Sequence, residues 1–104
     1  MLVFVKTTKS VSGKRIRLTE ERWQHIVERH PEVAERLGNV LETISDPDIV
    51  TCGWEDEVVA IRKFDSQDIA VIYKEQETDG FVITAFLTRS RKYFGKRGVL
   101  WSKQ

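Results

Sequence analysis

The stretch VVAIRKF-DSQD-IAVIYKEQ-ETDG-FVITAFLT, residues 58–88, decides the fold. Three β-branched and aromatic runs, Val58–Phe64, Ile69–Gln76 and Phe81–Thr88, are separated by two four-residue clusters of turn formers. Valine, isoleucine, tyrosine, phenylalanine and threonine suit a pleated, half-buried surface, and connections this short favour antiparallel hairpins. Symmetric closure of each turn pairs Phe64 with Ile69 and Gln76 with Phe81. That register places Val59, Ile61, Ile72, Phe81, Ile83, Ala85 and Leu87 on one face. It is almost wholly apolar, interrupted by Lys63 and Lys74, and is expected to bury against helices. The opposite face then carries Ala60, Arg62, Val71, Tyr73, Thr84, Phe86 and Thr88. Arg62, Tyr73, Thr84 and Thr88 are thereby expected to project together, unless a one-residue slip scatters them.

Working towards the N-terminus, Ile49–Cys52 reads as a further strand and Gly53–Glu57 as a turn. Before it lies a helical block. Thr19 is a good N-cap, with Glu20 and Glu21 in the first turn, where carboxylates suit the helix dipole. Trp23, Ile26, Val27 and His30 form one stripe at helical spacing, and Arg22, His25, Arg29 and Glu32 form another. Pro31 ends this helix or opens the next at its first position. Val33, Leu37, Val40, Leu41 and Ile44 mark a second helix, with a break expected at Gly38-Asn39 and a stop at Asp46-Pro47. Two short strands, Leu2–Thr7 and Arg15–Leu18, joined across Ser10–Gly13, lead the chain. The class is α+β, helices packed on an antiparallel sheet.

A chain of 104 residues is expected to form one domain, residues 1–104, with one modest core. Its 40% apolar and 32% charged content is that of a globular protein rather than a disordered one. The apolar runs are too short to span a membrane, and Met1–Lys6 lacks the pattern of a signal peptide. A cytoplasmic location is expected. The single cysteine, Cys52, excludes an internal disulfide and a cysteine zinc cluster. With 17 basic and 16 acidic residues, bulk charge does not announce a nucleic-acid binder. The distribution is uneven, however. Arg89, Arg91, Lys92, Lys96, Arg97 and Lys103 crowd the C-terminal end among Tyr93, Phe94 and Trp101, and Lys6, Lys9, Lys14, Arg15 and Arg17 gather near the other end. Such patches serve phosphate attraction or solubility.

Both histidines, His25 and His30, fall on or at the end of the first helix, with Arg29 close by. Two histidines and an arginine can supply a base, an acid and a cation for phosphate, which metal-free RNA cleavage requires. The competing reading is a surface helix that carries its histidines close together. The two are five residues apart rather than four, and no glutamate–histidine zinc motif occurs, so no metal site is expected. Cys52 has no visible activating base and reads as a core residue.

Four segments in order carry a family resemblance: RIRLTEERWQHI (15–26) running into ERHPE (28–32), then VLETISDPD (40–48), VIYKE (71–75) and GFVITAFLT (80–88). The sequence resembles the small phage- and mobile-element-associated nucleases of the BECR fold, grouped with barnase, EndoU, the tRNA-cutting colicins and RelE. The resemblance spans roughly residues 15–101. It implies N-terminal helices packed on a curved antiparallel sheet of about four strands. It also implies an endoribonuclease, toxin-like or element-associated, that works without metal or other cofactor. The matching positions are His25 and His30 in the helical motif, Tyr73 in the middle strand, and Thr84 and Thr88 in the last. Arg62 joins them from the face count, as a phosphate ligand. Arg29, Lys74, Arg89 and Arg91 are the expected substrate-binding cations. The implied partners are an RNA substrate and an antitoxin or immunity protein. The alternative is a noncatalytic module that binds RNA or protein through the same sheet.

Overall fold

The computed structural model describes residues 4–104. Strands β1 (Val5–Lys9) and β2 (Arg15–Thr19) form a hairpin, followed by helix α1 (Glu20–Arg29), a 3-10 turn (Pro31–Val33) and helix α2 (Leu37–Ser45). Strands β3 (Ile49–Cys52), β4 (Val58–Phe64), β5 (Gln67–Glu75) and β6 (Asp79–Thr88) follow, then the short helix α3 (Arg91–Gly95) and strand β7 (Val99–Ser102). The strands make one sheet in the order β1-β2-β6-β5-β4-β3-β7. Of these neighbours only β2 and β6 run parallel, and they pair over just Arg15–Arg17 and Asp79–Phe81. Among the described residues no helix is long and apolar enough to cross a membrane.

The expected strand count and the place of the helices need correction. The sheet has seven strands rather than about four, because β1, β2 and β7 extend both flanks of the central β3–β6. The helices are not N-terminal, since the β1–β2 hairpin precedes them. These added strands are only 4 or 5 residues long, and β7 sits inside the basic C-terminal segment, where charge masks its alternation. In the leading strand, Leu2 and Val3 lie outside the described residues.

Local signals act where the sequence places them. Thr19 caps α1, its hydroxyl accepting the Arg22 N–H at 3.1 Å. Pro31 cannot donate a helical hydrogen bond; α1 stops at Arg29 and Pro31 opens the 3-10 turn. The expected break at Gly38-Asn39 does not occur. The chain breaks just before Leu37, and α2 runs through both residues to Ser45.

The sheet is apolar on both faces. Ile16, Leu18, Ala60, Val71 and Tyr73 pack with Trp23 and Ile26 of α1 and with Val40 and Ile44 of α2. On the other side, Val59, Ile61, Ala70 and Ile72 pack with Phe94 of α3 and with half-buried Ile83 and Phe86. The β4–β5 turn is a two-residue one, with Phe64 opposite Gln67 and Asp65 at φ 54°. This differs from the expected four-residue closure by two residues, which conserves the alternation. Ala60, Arg62, Val71 and Tyr73 therefore do share a face, but it is the face under α1 and α2.

Between β5 and β6 the alternation is not conserved. Tyr73 lies opposite Val82 and Ile72 opposite Thr84, so Ile83 is an extra residue, a β-bulge. Beyond it every side chain of β6 changes face. Thr84, Phe86 and Thr88 share the face of Ile72 and Ala70, while Ala85 and Leu87 join Val71 and Ile69. The bulge thus separates Thr84 and Thr88 from Arg62 and Tyr73.

Candidate active site

Because β2 pairs with β6 only as far as Phe81, the outer edge of β6 beyond the bulge has no strand beside it among the described residues. The end of α1 and the Pro31–Val33 turn lie there instead. A cleft of about 300 Å³ opens between helix and strand, lined by Arg22, His25, Ile26, Arg29, His30, Ile83 and Thr84. Arg22, His25 and Arg29 stand at i, i+3 and i+7, so one helical flank presents all three. Ile26 forms the apolar floor and is 1% exposed.

The two histidines are held differently. His30 caps α1, its backbone N–H donating to the Ile26 carbonyl at 2.7 Å. Its ring lies 5.4 Å from that of Phe86, tilted by 36°, and a Glu32 carboxylate oxygen stands 3.5 Å from its Nδ1. The same Glu32 oxygen accepts the Leu87 N–H at 3.5 Å, which ties the turn to the open edge of β6. His25 is exposed on the helix flank. An exposed imidazole and a packed one, both lining the cleft, can serve proton transfer to two different oxygens.

The cleft continues past Arg22. One hollow is lined by Thr19, Glu21, Arg22 and His25, and another by Arg17, Thr19, Arg22, Phe81 and Val82. Together they make a strip running from β2 to the end of α1. Its cations Arg17, Arg22 and Arg29 exceed its acids, Glu21 and the Asp79 that sits 3.5 Å from Arg17. Guanidinium groups in such a line suit successive phosphates.

The structure thus brings His25, Arg29, His30 and Thr84 into one cleft and adds Arg22, absent from the expected site residues. Its signal was its place three residues before His25 on the same flank. The remaining expected residues stand elsewhere. Arg62 donates to the Asp46 carboxylate at 2.8 Å and lies 3.7 Å from Glu42, on the helix-covered face. Lys74 pairs with Asp56 at 3.1 Å. Thr88 shares the face of Thr84, but its hydroxyl accepts the Ser90 N–H at 3.0 Å and starts the turn into α3. Arg89 lines a separate hollow with Lys63, Gln67 and Asp68.

Tyr73 is fully buried, and its hydroxyl has no hydrogen-bond partner among the described residues. Burial pushes the phenol well above its usual range, reinforced by the Glu75 carboxylate. A phenol so enclosed does not line the cleft that holds the histidines. Tyr73→Phe removes an unpaired polar atom and leaves the ring in place. We expect equal or higher stability, by up to about 1 kcal/mol, read by thermal unfolding. A clear loss of stability in the Tyr73→Phe protein would mean that the hydroxyl has a partner after all.

Arg91 is a structural tie rather than a free cation. One guanidinium nitrogen donates to Asp48 at 2.8 Å and to Asp68 at 2.6 Å, fastening α3 to β5 and to the start of β3. Burial raises the Asp48 carboxyl, but hydrogen bonds from Arg91 and the Lys63 N–H outweigh it and hold it below the ordinary aspartate range. A depressed carboxyl stabilises the fold above its unfolded pKa and loses that contribution as pH falls through the folded value. Asp48→Asn should therefore cost about 1 kcal/mol at pH 7, a Tm drop of roughly 5 °C. The gap to wild type should close as the pH falls below the ordinary aspartate range. Thermal unfolding across that range checks it, and a gap independent of pH would contradict the assignment.

No cluster of three histidine, cysteine or carboxylate side chains placed to hold a metal occurs among the described residues. A family model described as phage-Barnase-EndoU-ColicinE5/D-RelE like nuclease2 matches residues 4–101. Searches of the curated proteins and of the solved structures found no match.

Proposed function

The chain belongs to the phage-Barnase-EndoU-ColicinE5/D-RelE like nuclease2 family, and from that premise we propose that it is a metal-independent endoribonuclease acting through the α1–β6 cleft. The observation that carries this reading is the convergence of His25, His30, Arg22, Arg29 and Thr84 on one cleft. In the proposed reaction the ribose 2′-oxygen attacks the adjacent phosphorus as one histidine takes its proton. The phosphorus–O5′ bond breaks, and the other histidine protonates the departing oxygen. The products are a 2′,3′-cyclic phosphate and a 5′-hydroxyl. Arg22 and Arg29 neutralise charge that builds on the non-bridging oxygens, and the Thr84 hydroxyl adds a hydrogen bond.

A nuclease of this kind, active in the cell that makes it, needs restraint by an antitoxin or immunity protein, and that partner is part of the proposal. The test is incubation of purified protein with mixed cellular RNA in EDTA, followed by analysis of the new ends. Cleavage leaving 2′,3′-cyclic phosphates supports the reading. Dependence on added divalent metal, or 5′-phosphate ends, overturns it.

A further inference from the structure

We propose that the aromatic cluster around α3 is a base-stacking extension of the cleft, holding single-stranded RNA beyond the phosphate being cut; this rests on the nuclease reading. A chain of rings leads away from the candidate histidine. His30 lies 5.4 Å from Phe86, Phe86 6.3 Å from Phe94, and Phe94 6.1 Å from Trp54 and 5.4 Å from Tyr93. Phe94 is the buried keystone, 4% exposed, whereas Trp54 and Tyr93 are 48% and 50% exposed. Packing of α3 onto the sheet thus needs Phe94, and the two outer rings spend half their surface on water. Apolar rings left open in this way mark a surface built to be covered.

Charge selects the occupant. Residues 89–97 contain Arg89, Arg91, Lys92, Lys96 and Arg97 and no acid. Arg91 is held by Asp48 and Asp68, but Lys92 and Lys96 are exposed beside Tyr93 and Phe94. The Arg97 guanidinium lies 4.8 Å from the centre of the Trp54 ring and donates to the Gly53 carbonyl, so it props the indole in place. Of the three acids in the Trp54 loop, Asp56 pairs with Lys74, the Glu57 carboxylate is turned onto the Glu55 N–H, and Glu55 is exposed, so the cations of residues 89–97 outnumber the acids beside the rings. Exposed rings among free cations match a strand of alternating bases and phosphates. Phe94, which both exposed rings contact, packs on the sheet face that carries Thr84 and Phe86, so a strand leaving the cleft along that face runs towards them.

The test uses 2′-O-methyl oligonucleotides, which cannot be cut through the 2′-oxygen, with affinity read by fluorescence anisotropy. Lengthening the strand from a dinucleotide to a hexanucleotide should tighten binding to wild type by about fivefold or more for each base stacked. Trp54→Ala with Tyr93→Ala, folded by circular dichroism, should lose most of that gain, and Trp54→Phe should restore it. A gain absent from wild type, or retained in the double variant, overturns the inference. So does a variant whose self-association changes while its RNA affinity does not, since the rings then face a second copy. Cleavage of ordinary RNA by the same wild-type preparation judges the nuclease reading separately.

Discussion

RNA cleavage by His25→Ala should fall about 10²–10⁴-fold, the usual contribution of a proton-transferring side chain. The loss belongs in kcat rather than in binding, because His25 is exposed and contributes nothing to the core. Its Tm should stay within about 2 °C of wild type, since surface substitutions are usually neutral. His30→Ala should lose as much activity but not as cleanly, because it also removes the contact with Phe86. The double variant should be little worse than either single one, as residues that act as a unit are not additive. Full activity in both folded variants would move the site elsewhere. Intact RNA binding with no cleavage by wild type would favour the noncatalytic module.

Ile26→Ala should be the most damaging single change to stability at the site. Ile26 is 1% exposed and packs in the core that joins α1 to β2 and the sheet, while its outer atoms floor the cleft. Truncating a buried isoleucine removes transfer energy and leaves a cavity, together about 2–5 kcal/mol. For a domain of this size that lowers Tm by roughly 10–20 °C. Activity measured well below the new Tm should also fall, because α1 carries His25 and the register of that helix sets where the imidazole stands. Ile26→Val should cost only about 1 kcal/mol and retain most activity. A loss under about 1 kcal/mol for the alanine variant would mean that α1 is not docked through this side chain.

These two residues also show how much of the site is legible in one dimension. The flank Arg22, His25, Arg29 follows from helical spacing alone, and the apolar stripe of Trp23 and Ile26 follows with it. Local chemistry likewise sets the ends of α1: Thr19 holds the first turn and Pro31 refuses the last. Strands Val58–Phe64 and Ile49–Cys52 appear where their side chains favour them. α3 was hidden because five residues carry too little periodicity to stand out.

Which strand residues meet that helical flank is a different matter. Alternation has a period of two and says only which residues share a face, not which face meets the helices. When one face is polar, composition answers that question. Here both faces of β4 and β5 are buried, one under α1 and α2 and the other under α3, so composition is silent. The bulge at Ile83 adds the decisive step, because one extra residue inverts every side chain after it. It carries Thr84 to the histidines and leaves Arg62 and Tyr73 behind. The sequence by itself determined the central strands, the two ends of α1 and the chemistry that helix offers. Only the tertiary structure decided which side chains of β6 that chemistry meets, because a bulge is settled by pairing and packing between strands rather than by the residues of one.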